Sequence, residues 1–311
     1  MAHRRKPRKN AWRRVFDRLV LGGVCVCAGC QALPFHSRDT KDVRAPELSR
    51  EGVSAFERGE YDLAARNFVQ AIKSDENDIL SRRYYGEILW REGKKNEAFR
   101  VLTDAAGRAG SDEEKAAVCE SLAEKFLEVD QAATALHYAD KVVEVTPRRH
   151  EGWELRAMVC EQIGKEDEAL ADYHRALRLA PNDRELLKKL ALFESRQGDD
   201  RAALVAWEEL GRTYPGQSEP AEVLCGKAEA CRRLGRGREA ADFYAAAIKQ
   251  KPDNPALYQA LAEVRLENRD TEGAREIAAQ AAERFPDSRE ALTLPVRVEE
   301  IAARTAAQGV K

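Results

Sequence analysis

Few side chains in this sequence could attack a substrate or hold a metal. Seven cysteines and five histidines occur among 311 residues. The histidines, His3, His36, His137, His150 and His174, stand at no metal-ligand spacing. Cys25, Cys27 and Cys30 crowd together, but their surroundings are apolar and no further His or Cys lies nearby to complete a metal site. No Gly-rich phosphate loop, HExxH motif or nucleophile elbow is present. We therefore expect no catalytic residue, no bound metal and no cofactor. The remaining chemistry is that of charge. Charged residues make up 34% of the chain, and on helices they recognise partners through ion pairs.

The charge is unevenly spread. The whole chain has 52 Lys and Arg against 54 Asp and Glu. Residues 1–30 carry eight basic side chains and the single acid Asp17, a net +7, which leaves residues 31–311 at net −9. An acidic body argues against nucleic acid as a partner of the folded part.

Residues 1–30 run basic, then apolar, then small, the order of an exported protein's signal. The apolar run Leu19–Gly29 would rise only about 16 Å as a helix, against the ~30 Å of a bilayer core. It is too short to span and fits a signal-peptide core. The segment Cys27-Ala28-Gly29-Cys30 resembles a bacterial lipobox, with Cys27 where Leu is usual. That resemblance implies lipidation of Cys30, which would become the first residue of a membrane-anchored, envelope-facing protein. The alternatives are ordinary secretion, a signal anchor, or a cytoplasmic protein with an unprocessed basic tail. Residues 31–44 read as a linker, with an r.m.s. reach of roughly 20 Å if flexible.

The elements that must position the charges come from a repeat. Ala64, Ala98, Ala135, Ala169, Ala203, Ala240 and Ala274 are spaced by 34, 37, 34, 34, 37 and 34 residues. Twelve residues before each sits Gly or Ala, from Gly52 to Ala262. Twelve residues after the last five alanines comes a proline: Pro147, Pro181, Pro215, Pro252 and Pro286. Small residues let two helices approach, and proline ends the second helix. Gly59, Gly93, Gly164, Gly198 and Gly235 mark the turns, whereas Asp130 and Arg269 occupy that place in the third and seventh units. Phe68, Trp153, Tyr173, Trp207, Tyr244 and Tyr258 are expected to fill the seams.

This pattern, clearest in residues 150–183, resembles the tetratricopeptide repeat family. The resemblance covers residues 45–288 as seven repeats: 45–78, 79–112, 116–149, 150–183, 184–217, 221–254 and 255–288. It implies an all-α, right-handed superhelical solenoid of about seven helix pairs. Residues 289–311 should cap and end it, with a helix over 296–307 beginning after Pro295. Two insertions, Glu113 to Lys115 and Ser218 to Pro220, are expected to lengthen the loops before repeats three and six. Cys119, Cys160, Cys225 and Cys231 fall within helix A of their repeats and read as small seam residues rather than reactive thiols.

In that family the first helix of each pair, helix A, lines a concave groove that binds peptides. Carried over by position, the groove residues are Arg83, Glu87, Trp90 and Arg91 in repeat two; Glu120, Glu124, Leu127 and Glu128 in repeat three; and Glu151, Glu154, Met158, Glu161 and Gln162 in repeat four. Repeat five offers Lys188, Leu192 and Arg196, and repeat six Glu229, Arg232 and Arg233. Trp90 is the candidate apolar anchor, and the glutamates of repeats three and four form an acidic stretch for a basic partner segment. The carboxylate clamp of some family members is not expected, because Ser49 and Val53 occupy its positions in repeat one. By architecture the chain resembles envelope-assembly lipoproteins and pilotins. The expectation is a non-enzymatic, lipid-anchored scaffold for a protein or peptide, touching the membrane through its lipid alone. The alternative is a cytosolic adaptor or regulator.

Overall fold

Helices separated by short turns account for nearly all of the residues that the computed structural model describes, 44–216 and 218–308. All belong to one compact unit, Asp42–Lys311. The expected signal segment, Cys30 and the linker up to residue 43 lie outside the described residues.

Among the described residues there are fifteen α-helices and no strand. They pair as α1 (Ala45–Glu57) with α2 (Tyr61–Ser74), α3 (Ile79–Arg91) with α4 (Lys95–Arg108), and α5 (Asp112–Leu127) with α6 (Ala132–Val145). The series continues with α7 (His150–Gln162) and α8 (Glu166–Leu179), α9 (Arg184–Gln197) and α10 (Asp200–Arg212), α11 (Ala221–Arg233) and α12 (Gly237–Gln250), then α13 (Pro255–Glu267) and α14 (Thr271–Arg284). The last helix, α15 (Arg289–Gln308), packs on α13 and α14. Each helix B also meets helix A of the next pair, so the pairs stack in order as an all-α superhelical solenoid.

The packing follows the small-residue register. All seven register alanines, Ala64 to Ala274, have no exposed surface. Phe68, Trp153, Tyr173, Trp207, Tyr244 and Tyr258 are buried around them. Contact is close at Gly226 in α11, where an added Cβ would stand 2.2 Å from the Trp207 ring of α10. Only glycine lets the two helices meet there.

The turns use the left-handed backbone expected of them. The five turn glycines have φ between 73° and 78°. Asp130 and Arg269 take the same conformation, at φ 57° and 63°, at the steric cost of a Cβ.

Two expectations need correction. The insertion Glu113 to Lys115 does not lengthen a loop; it extends α5 by a turn. Ser111 Oγ accepts from Glu114 N (3.2 Å), and Glu114 Oε2 accepts from Ser111 N (3.3 Å) and Gly110 N (2.9 Å). That reciprocal cap starts the helix early. Nor does Pro295 divide the C-terminal segment, since α15 runs through it. Proline forfeits one backbone bond, but Ala291, Leu294 and Val298 on either side are buried in the last apolar seam, which favours a continuous helix. The second insertion does lengthen its connection, and Glu219 within it accepts from buried Lys227 (2.7 and 2.8 Å).

Candidate protein-binding groove

Helix A of one pair touches helix A of the next at α1–α3, α3–α5 and α5–α7, and so forms an inner row. Ion pairs about one repeat apart cross this row. Lys125 Nζ lies 3.0 Å from Glu87 Oε2, Lys188 Nζ 2.6 Å from Glu222, Arg232 3.2 Å from Glu267, and Arg297 2.9 Å from Glu263. Lys189 pairs with Glu154, and Arg196 with Glu161. Exposed pairs contribute only about 0–1 kcal/mol each. Their effect is to orient side chains and to neutralise much of the face.

This ladder changes the meaning of the expected acidic stretch. Glu154 and Glu161 are already occupied by Lys189 and Arg196, and Glu161 also accepts from Tyr173 Oη (3.1 Å). Met158 is 38% exposed beside Lys189 Nζ (3.6 Å). Glu87 is held by Lys125 and by Arg91 (3.4 Å). Glu120 faces Arg149 at 3.1 Å, yet its Oε1 is buried without a hydrogen bond. Glu124 forms no ion pair among the described residues and stays exposed. Partial withdrawal from water between the helices raises the pKa of both Glu120 and Glu124 above the ordinary carboxylate value.

Arg83, Glu87, Arg91 and Glu124 come together around a cleft of about 240 Å³ between α1, α3 and α5. Four residues that the positional argument missed complete it: Phe56, Tyr84, Ser121 and Lys125. Arg83 stacks on the Tyr84 ring (4.7 Å to the centroid), and Arg91 lies over Phe56 and Tyr61 (5.4 and 5.2 Å). The cleft therefore presents aromatic faces capped by guanidiniums, with one open carboxylate on its far wall. A signal for Lys125 was available in the sequence: an acid at Glu87 and a base one repeat later.

The exposed anchor expected at Trp90 is not there. Trp90 is 9% exposed, edge-on to Phe99 (5.4 Å), and its Nε1 donates to Glu128 Oε2 (2.7 Å). The end of α3 lies beneath the start of α4 and the end of α5, so Leu89, Ala98 and Val129 close over the indole. Its role is to tie repeats two and three together.

Cys119, Cys160 and Cys231 are buried, Cys225 is half-buried, and all four are free thiols. Burial pushes each above the usual thiol range, Cys160 to about 11, which leaves little thiolate at neutral pH. His137 and His174 are exposed, and His150 faces Glu151 and Asp183 at 3.5 Å. Among the described residues no group of three or more His, Cys, Asp or Glu could hold a metal ion, and no helix is long and apolar enough to cross a membrane.

Two profiles, each described as tetratricopeptide repeat, match residues 49–113 and 121–287. A TPR repeat-containing protein from Rhizobium etli is 27% identical over 102 residues, 33% of this chain and 50% of that protein. The chain spans 14% and 50% of the two curated relatives it matches. Among solved structures, the C-terminal part of a TPR repeat-containing protein from Cytophaga hutchinsonii superposes with a TM-score of 0.65 at 14% identity, over 79% of this chain and 98% of that one. PilW, a type IV pilus biogenesis factor, gives 0.58 at 17% identity, over 72% of this chain and 99% of that one. Both likenesses are of fold.

Proposed function

The chain belongs to the tetratricopeptide repeat family, a family of protein-interaction scaffolds, and on that premise we propose that its inner groove holds a segment of a partner protein without catalysis. One observation carries this reading. Along a face where ion pairs neutralise most charges, Glu124 stays unpaired, and Glu120, which faces Arg149 at 3.1 Å, has an Oε1 with no hydrogen bond, next to the aromatic cleft capped by Arg83 and Arg91. A partner segment with a basic stretch fits the carboxylate of Glu124, and an apolar side chain fits in the cleft against the edge-to-face pair Phe56 and Tyr84. The role first expected of Trp90 passes to this cleft. The test is a titration of an arginine-containing peptide against the protein and its Glu120→Lys/Glu124→Lys variant. A loss of affinity supports the reading, and equal affinity rejects it.

The cellular setting is a second element of the proposal. A basic segment, a short apolar run and Cys30 in a lipobox-like context support export and lipid anchoring in a bacterial envelope. A part in assembling an envelope complex is an analogy, prompted by the fold shared with PilW. The alternative is a cytosolic adaptor with an unprocessed tail. Fractionation of wild type beside Cys30→Ser separates the two. Anchoring requires wild type in membranes and the variant released, whereas full-length wild type in the soluble fraction would favour the adaptor.

A further inference from the structure

Repeat five differs from the others at one interior position. The eleventh residue of each unit is Ala55, Leu89, Phe126, Cys160 and Cys231 in repeats one to four and six. In repeat seven it is Arg265, whose charge is answered by Gly273 O (2.8 Å) and Asp270 (3.8 Å). In repeat five it is Glu194, only 6% exposed. Among the described residues nothing donates a hydrogen bond to its carboxylate and no cation pairs with it.

Glu194 lines a cleft of about 690 Å³ between the helix B pair α8 and α10, with α9 contributing Leu190 beside it. Apolar side chains line both walls, Leu177 and Pro181 on one side and Val205 and Ala206 on the other, with Glu209 of α10 also in the lining. Val205 is 54% exposed, a large apolar side chain with nothing over it. His174 and Arg178 stand on the rim but leave the carboxylate unpaired. Burial and the nearby Asp199 raise the Glu194 pKa, so the folded protein bears a cost for this group that a bound cation would relieve.

We propose that the cleft between α8 and α10 is a second docking site, separate from the groove, which takes an apolar helical segment of a partner protein through one lysine whose ammonium pairs with Glu194. Lysine suits the site because its stem is apolar and its charge sits at the tip. The stem can lie along Leu177 and Val205 while the ammonium reaches the interior acid. A helix is the fitting backbone because it satisfies its own amides in an apolar cleft.

Two synthetic helical peptides test this on the full chain. Both carry a leucine and alanine face; one has a central lysine, the other norleucine in its place. Fluorescence anisotropy should show the lysine peptide binding wild type at least tenfold more tightly. Glu194→Gln, nearly isosteric, should reduce that preference to less than twofold, with the melting curve as a control for folding. Val205→Arg should weaken both peptides. Equal binding of the two peptides to wild type, or a lysine preference that survives Glu194→Gln, would overturn the proposal. So would loss of the preference in Glu120→Lys/Glu124→Lys, which would assign the peptide to the groove. Concentration-dependent self-association abolished by Val205→Arg would assign the cleft to a second copy of this chain and also overturn it.

Discussion

The Lys125 ammonium lies 3.0 Å from Glu87 Oε2, with only 7% of the lysine side chain exposed, and so joins helix A of repeat three to helix A of repeat two. Burial opposes its charge, but Glu87 and Glu128 outweigh burial and hold its pKa above the ordinary lysine value. Trp90 shares the same Glu128. Charge, packing and the stacking of two repeats meet in this one side chain.

Lys125→Met keeps most of the apolar stem and removes the ammonium. Glu87 and Glu128 remain partly solvated, so the cost should be moderate, roughly 1–2 kcal/mol of unfolding free energy. Urea denaturation gives the value. A midpoint equal to wild type would show that the pair does not couple the two repeats.

The non-glycine turns should be improvable. Asp130 and Arg269 hold left-handed backbones at φ 57° and 63°. Asp130→Gly and Arg269→Gly should each stabilise the protein by about 0.5–1 kcal/mol. Arg269→Gly should gain more, because aspartate tolerates this conformation better than arginine. Thermal melts of the two variants decide it, and a lowered midpoint in both would contradict the assigned turns.

Asp172 should make stability depend on pH. Asp172 is buried, and Arg156 donates to both its oxygens (2.8 and 3.0 Å) while also reaching the exposed Asp140 (2.6 Å). Burial outweighs Arg156 and pushes the Asp172 carboxyl up to about 6. An unfolded aspartate titrates near 4, so between about pH 4 and 6 the folded state holds more protons than the unfolded one. This group's contribution therefore falls as pH rises through that window. Wild type should lose about 1–3 kcal/mol relative to Asp172→Asn between pH 4 and pH 7. Urea midpoints of both proteins at the two pH values measure the difference, and parallel pH profiles would contradict it.

The sequence made the helix pairs legible because their determinants are local and repeated. The register alanines, the turn glycines and the prolines each fix one backbone requirement, and each recurs at nearly the same interval. The charged face was less legible. Position alone named Glu154, Glu161 and Arg196, but neither Lys189 nor the pairing of Arg196 with Glu161, because pairing depends on side chains one repeat away. Trp90 was misplaced for a related reason. Its burial is supplied by Phe99 on α4 and Val129 in the turn after α5, and nothing in its own helix announces them. Glu113 to Lys115 read as an inserted loop, yet Ser111 and Glu114 form a capping box that turns those residues into helix.

Binding in the groove is the central claim, and its carboxylates offer the most direct test. A fluorescent peptide of alternating leucine and arginine, titrated at low salt, should bind the wild-type chain. Glu120→Lys/Glu124→Lys should weaken that binding at least tenfold, or about 1.4 kcal/mol, while a peptide with glutamate in place of arginine should not bind wild type. Equal affinity of the arginine peptide for wild type and the double variant would contradict the account and place any partner outside repeats two to four.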